Sequence, residues 1–301
     1  MFHHFHGKGH PEAQGSISDA TFEQILYLVG LENILPAQEW LERAKKQTLK
    51  KNHVCLTFDD ALLCQYDVAK PILDKHGLTA FWFVYSSILR GELEKLELFR
   101  HFRTTQFESI DHFYELFFLV TERQYGHKYK EAKKTFNPDT YLVNSPFYTD
   151  NDRWFRYLRD QFLGSQAYEA LMDRFIADRG YNLQKAARQL WLTRDQVIAL
   201  ANNGHCVGLH SDSHPTTMGK LSAEQQLLEY RSNSEYLNKM LGERPQSMSH
   251  PCNSYSTETL AILKGLGVHV GFRADVASIA NRSMLEFPRE DHANLVSHLG
   301  S

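Results

Sequence analysis

Short apolar runs alternate with amphipathic stretches through much of the chain. Val54-Cys-Leu-Thr-Phe58, Thr79-Ala-Phe-Trp-Phe-Val-Tyr85, His205-Cys-Val-Gly-Leu209 and Val268-His-Val-Gly-Phe272 are brief and apolar, and the second is almost wholly aromatic or β-branched. That is how strands buried in a sheet read. Helical signals lie between them. Val68 to His76 reads as a helix stopped by Gly77. Thr193-Arg-Asp-Gln196 and Ser222-Ala-Glu-Gln225 are capping-box patterns, in which two side chains satisfy the first free amides of a helix. The first predicts a helix over 194–203 that stops before Gly204, and the second a helix reaching about Leu241 before Gly242. Thr257 to Leu266 predicts another, ended by Gly267. Strands alternating with helices argue for a parallel sheet wrapped in helices, either barrel or open.

Residues 91–185 break the rhythm. Phe113-Tyr-Glu-Leu-Phe-Phe118 and Trp154-Phe-Arg-Tyr157 are aromatic and charged, with mostly helical spacing. The segment is expected to be a helical insertion packed on a barrel made of residues 1–90 and 186–301. Its role is either structural or to form a wall of the substrate cleft.

Composition changes this picture little. A chain of 301 residues, 42% hydrophobic and 23% charged, has the make-up of an ordinary globular protein. The net charge of −3, without a basic tract, argues against nucleic acid as a main partner. No apolar window of about 18 residues exists to span a membrane. The opening MFHHFHGKGHPEAQG has neither a basic nor an apolar signal region, so a cytoplasmic protein is expected. Cys55, Cys64, Cys206 and Cys252 form no CxxC pair and are expected to be free thiols.

The candidate chemistry sits at the ends of two of these strands. Thr57-Phe-Asp-Asp60 closes one apolar run, and His210-Ser-Asp-Ser-His214 follows another. In parallel α/β folds, sites collect at the carboxyl ends of strands. Adjacent carboxylates on a strand face opposite ways, but at its end, where the chain turns, both can reach one cleft. Ending a core strand in two acids invites repulsion unless a cation sits there. Histidines four apart lie together on a helical turn and suit one metal. The bland alternatives are solvated loop acids and exposed loop histidines, which 16 histidines would also supply by chance.

The order Thr57-Phe-Asp-Asp60, His210-Ser-x-x-His-Pro215 and Ser249-His-Pro-Cys-Asn-Ser-Tyr255 resembles the polysaccharide deacetylase pattern (NodB homology, carbohydrate esterase family 4). Phe2-His-His-Phe5 and Phe22-Glu-Gln-Ile-Leu-Tyr-Leu28 are similar to the permuted branch of that family, with its N-terminal His element. The likeness covers about residues 1–90 and 190–290. It implies a distorted (β/α) barrel, often of seven strands, with Asp60, His210 and His214 as ligands of a divalent metal. Zn²⁺ is the expected ion, with Co²⁺, Ni²⁺ or Fe²⁺ as alternatives. It also implies Asp59 as the base that takes a proton from the attacking water. A backbone N–H near Cys252, with Tyr255 close by, would serve the oxyanion and substrate. The general acid would be His3, with His292 in Pro288-Arg-Glu-Asp-His292 as the alternative. The sequence departs from the pattern at Ser249, where an arginine would orient the base; Arg289 or Arg273 is expected to replace it. Cys252 and Asn253 stand where an aromatic residue and glycine are usual, and Asn tolerates the left-handed backbone a Gly would adopt.

The resulting expectation is a metal-dependent amidohydrolase that removes an acetyl or formyl group from an amino sugar. The substrate would be a nucleotide- or lipid-linked intermediate of surface-polysaccharide synthesis. A non-catalytic sugar- or partner-binding protein on the same fold, or a hydrolase of a small non-sugar amide, is the alternative.

Overall fold

The computed structural model describes residues 1–142, 148–277 and 282–299. They form two compact units, one made of Met1–Glu94 and Ala187–Ser301 and the other of Lys95–Ala186. No helix among the described residues is long and apolar enough to cross a membrane.

The first unit is a curled parallel sheet wrapped in helices. Its strands β1 (Thr57–Phe58), β2 (Phe81–Val84), β3 (Cys206–Leu209), β4 (Ser247–Ser249) and β5 (Val270–Phe272) pair in chain order, every neighbour parallel. In a flat sheet β2 and β5 would lie about 14 Å apart, three strand spacings. The Phe83 and Phe272 rings are 5.5 Å apart instead, so the sheet curls and these side chains meet across its interior. Gly208 makes room for this: a Cβ there would stand 2.6 Å from the Phe83 ring and 2.7 Å from Ser247 Oγ. Trp40, from the helix Ala37–Lys45, packs at 5.3 Å on Phe272 and 5.0 Å on Phe287.

Chain segments outside the five strands continue the wall at both edges. Phe2 bridges Phe58 beside β1, and Phe287 bridges Phe272 beside β5, both in parallel. These two segments then meet. The Met1 amino group donates to the Glu290 carbonyl at 2.8 Å, and the His292 amide donates to the Met1 carbonyl at 3.1 Å. The wall therefore continues through five strands and two extended segments, a distorted (β/α) barrel as the family resemblance implies, with five strands among the described residues where seven are usual.

Local sequence explains the elements. Thr193 and Ser222 form their capping boxes at the starts of the helices Arg194–Asn202 and Ala223–Leu241, and Gly242 ends the latter with φ 81°. The helix read over Val68–His76 is divided instead, a wide turn over Gln65–Ala69 preceding the α-helix Lys70–Lys75. β4 has no clear sequence signature, since Gln246-Ser-Met-Ser-His250 offers neither β-branched residues nor an apolar run. It is held as a strand by its neighbours β3 and β5.

The second unit is helical and built on aromatic residues. Phe102, Phe113, Phe117, Phe155 and Met172 are fully buried in its core. Ser109 caps the helix Ile110–Tyr125, and Thr149 forms a capping box with Asp152, whose carboxylate also accepts from the Tyr114 hydroxyl at 2.5 Å.

Candidate metal centre

The carboxyl ends of β1 and β3 bring Asp60, His210 and His214 together. All three are buried, and their candidate ligand atoms lie within 4.8 Å of one another. His210 Nε2 and His214 Nε2 stand 3.2 and 3.3 Å from Asp60 Oδ1. Left-handed backbone makes this possible: Asp60 and Ala61 have φ 73° and 51°, which turns the chain as β1 ends. Asp59 and Asp60 can therefore both face the interior, though neighbours on a strand would not. The two histidines are not on a helical turn, as their spacing suggested. Ser211 (φ 66°) and His214 (φ 58°) lie in a tight irregular loop that folds one imidazole back to the other, with ring centroids 5.0 Å apart.

The donor set fits a cation. His210 Nδ1 lies 2.9 Å from the Ser249 carbonyl, which can only accept; the neutral imidazole thus carries its proton there and turns the Nε2 lone pair toward Asp60. Asp60 Oδ1 is buried without a hydrogen bond. A lone pair facing a buried carboxylate oxygen is stable only with a proton or a metal ion between them. Burial alone would raise the Asp60 pKa, but with a proton rather than a metal ion between them, His214, then His210 and His3, in their protonated forms outweigh it and hold the group below the usual carboxylate range.

Asp59 has the opposite surroundings. Arg289 Nη1 donates to Oδ1 at 2.7 Å and Nη2 to Oδ2 at 2.8 Å, while Ser249 Oγ donates to Oδ2 at 3.0 Å. Burial would raise this acid too, yet Arg289 first, then His210, keeps it well below the ordinary range. Arg289 also bonds Ser249 Oγ at 2.7 Å, so the serine in the place of the expected arginine bridges Asp59 and the guanidinium. Arg273 does not reach the acid. Its guanidinium turns to Asp275 at 2.9 Å and to the Ala277 carbonyl, and only its own carbonyl supports the site, accepting from Arg289 Nε at 2.8 Å.

The two candidate acids separate equally clearly. The Phe2 amide donates to Thr57 and the Phe2 carbonyl accepts from Asp59, so the N-terminal segment runs alongside β1. Phe2 packs outward on Phe22 and Phe58, and the alternation of an extended chain sends His3 to the other face. His3 Nε2 lies 3.8 Å from Asp59 Oδ2 and 4.0 Å from Asp60 Oδ2, with its side chain 26% exposed. Gln65 ties these segments by donating to the His3 and Asp59 carbonyls at 2.8 and 2.6 Å. His292 is not turned toward the acids. Its Nε2 lies 2.8 Å from the Gly15 carbonyl and its Nδ1 3.3 Å from that of Met1, and its ring stacks on Phe2. Burial lowers its pKa, and a neutral ring has one N–H, which goes to the nearer Gly15 carbonyl while Nδ1 only lies beside that of Met1.

Cys252 is exposed in the turn Pro251–Asn253 that follows β4, with φ 49° there and 55° at Asn253. Asn253 earns its place by bonding the Ala274 amide and Asp275. The Tyr255 hydroxyl donates to Glu286 at 3.0 Å, and its ring stacks at 4.2 Å on His250. Tyr255 thus braces this loop rather than presenting a free hydroxyl.

The family model described as polysaccharide deacetylase matches residues 165–271, which include β3 and β4 and both histidines of the cluster. Over that third of the chain the sequence is similar to the polysaccharide deacetylase family. Its fold is similar to that of the deacetylase PplD of Streptococcus pyogenes, solved with acetate, at 19% identity and a TM-score of 0.56. That match covers 99% of this chain and 96% of the other. IcaB of Ammonifex degensii matches at 14% identity and TM-score 0.55, over 100% and 95% of the two chains. A de-N-acetylase of Aggregatibacter actinomycetemcomitans matches at 14% and 0.51, over 91% and 86%. Among curated protein sequences none matches this chain.

Proposed function

We propose that this chain is a metal-dependent carbohydrate N-deacetylase. The observation that carries the reading is Asp60 Oδ1, buried without a hydrogen bond between two imidazole Nε2 atoms at 3.2 and 3.3 Å. Asp60, His210 and His214 would hold a divalent cation, which when bound polarises a carbonyl and makes water acidic enough to ionise near neutral pH. Zn²⁺ is the first expectation, since two imidazoles and a carboxylate with positions left open suit it.

The chain's own residues supply the proton handling. Asp59 is the general base. Arg289 and Ser249 fix both its oxygens in direction and keep it ionised, ready to accept a proton across the working pH range. Such a weakly basic carboxylate needs an acidic donor, and water activated at the neighbouring ligand set meets that need. His3, on the solvent-facing side of both acids, is the general acid that donates to the leaving amine. Backbone at the Cys252 turn, at the same end of the sheet, would receive the developing oxyanion.

The proposed substrate is an N-acetylated amino sugar, with an N-formyl sugar as the second acyl group to test. The acetate in the similar Streptococcus pyogenes structure favours acetyl. The sugar is read as carried on a nucleotide or lipid in the cytoplasm, a compartment with which four cysteines outside any disulfide agree. Protein supplied with Zn²⁺ or Co²⁺ is expected to release acetate from an N-acetylamino sugar. His3→Ala should lower kcat by roughly 10²-fold or more, the usual share of a general acid. Wild-type turnover in Asp59→Asn and His210→Ala would refute this reading.

A further inference from the structure

The loop His210–His214 takes its shape from a helix that carries no ligand. On Ala223–Leu241, Glu229 and Asn233 stand four residues apart, and so on one face. Asn233 is fully buried. Its Oδ1 accepts the His210 amide at 3.0 Å, and its Nδ2 donates to the Val84 carbonyl at 3.0 Å and Ser86 Oγ at 3.1 Å. One carboxamide therefore joins the ends of β2 and β3 at the residue where the first ligand begins.

Glu229 holds the rest of the loop. Its Oε2 accepts the Asp212 amide at 3.0 Å and the Ser213 amide at 2.8 Å, while Oε1 accepts Ser213 Oγ at 2.6 Å. Two consecutive amides pointing at one carboxylate are what a left-handed reversal presents, and Ser211 and His214 on either side both have positive φ. Outside the helix, the Ser87 amide donates to the Asp212 carbonyl at 2.9 Å, and Arg90 pairs with both Asp212 carboxylate oxygens at 2.8 Å. These contacts fasten Asp212 to the β2 side. Among the described residues only Glu229 accepts the Ser213 amide, the last before His214.

We propose that Glu229 and Asn233 are positioning residues for the metal. Asn233 sets where His210 leaves the sheet, and Glu229 sets the reversal that swings His214 back to within 3.3 Å of Asp60. Neither touches a ligand side chain; they act through the ligands' backbone. The inference rests on reading the cluster as a metal centre. It adds that the geometry of that centre is stored in the helix Ala223–Leu241.

Metal-stripped full-length protein, titrated with Zn²⁺ against a chromophoric chelator and with Co²⁺ by visible absorption, tests it. Wild type should bind one equivalent. Glu229→Ala should bind about 10–100-fold more weakly, the range for losing an outer support of a ligand, with an altered Co²⁺ spectrum. Glu229→Gln keeps an acceptor oxygen for the two amides and should recover much of that loss. Glu229 lies partly at the surface, so its variants should fold; Asn233→Ala, checked by circular dichroism, adds a second probe with the same expected weakening. If Glu229→Ala loses only thermal stability of the stripped protein and keeps wild-type affinity and spectrum, the positioning role is overturned and the metal centre stands. If wild type itself binds no metal, the metal reading and this inference both fall.

Discussion

Around Phe81, Phe83 and Phe272 the barrel interior is apolar, closed by Trp40 and Phe287. At the carboxyl ends of the same strands it holds Asp59, Asp60, His210, Ser249 and Arg289, equally removed from water. The first region is stable because apolar surface leaves water. The second is stable only as far as each charge finds a partner. Within it the two adjacent acids differ: both Asp59 oxygens are occupied by Arg289 or Ser249, whereas Asp60 Oδ1 has two imidazoles and no hydrogen bond. Asp59 therefore has a complete ion pair, and Asp60 keeps one oxygen for the proposed cation.

Stability measurements should separate these regions. Arg289→Met leaves the buried Asp59 carboxylate without its cation, and a cost of about 3–5 kcal/mol is expected from chemical denaturation of the metal-free protein. Asp60→Asn, one residue away, should shift the same midpoint little or raise it, because it removes an unsatisfied charge. Equal losses in the two variants would break the distinction between the acids. Trp40→Ala probes the apolar region; a cavity under Phe81, Phe272 and Phe287 should cost about 3–5 kcal/mol, at the lower end if the helix Ala37–Lys45 settles inward.

A smaller effect should appear with pH. His205 Nδ1 accepts from the Ala80 amide and from Trp82 Nε1, so the folded protein needs it neutral. Burial, with a lesser push from Lys70, lowers its pKa from the ordinary 6.5 to about 4. With the folded value below the unfolded one, this contribution is complete above about pH 6.5 and is lost as pH falls through 4. The loss is about 3 kcal/mol at most. His250, also lowered to about 4 by burial, adds a similar slope. His205→Asn, whose carbonyl replaces Nδ1 as acceptor, should flatten the acid limb of the stability curve, leaving the part that His250 and His292 carry. An unchanged limb would show that His205 does not carry it.

How much of this was legible in the residues follows from what each signal is made of. Four of the five strands announced themselves through apolar runs, and the capping boxes at Thr193 and Ser222 marked their helices to within a residue. β4 was hidden because Ser-Met-Ser is made a strand by its neighbours, not by its own pattern. The closure through Met1, Glu290 and Phe287 was hidden too, because backbone pairing of single residues leaves no periodicity. At the site, motif spacing named Asp59, Asp60, His210 and His214, but not the loop geometry that joins the histidines. Of the two arginines offered to orient Asp59, only geometry could choose Arg289, since both are buried and lie on adjacent segments. Glu229 and Asn233 gave no signal, because polar residues four apart on a helix are what any solvated face shows.

As proposed, Asp60, His210 and His214 would hold a cation and Asp59 would not. Isothermal titration of the metal-stripped protein with Zn²⁺ at neutral pH, run beside Asp60→Asn and Asp59→Asn, tests it most directly. One equivalent should bind to the wild type and to Asp59→Asn, and at least about 10²-fold more weakly to Asp60→Asn. Absence of binding by the wild type, or equal affinity in all three proteins, would contradict it.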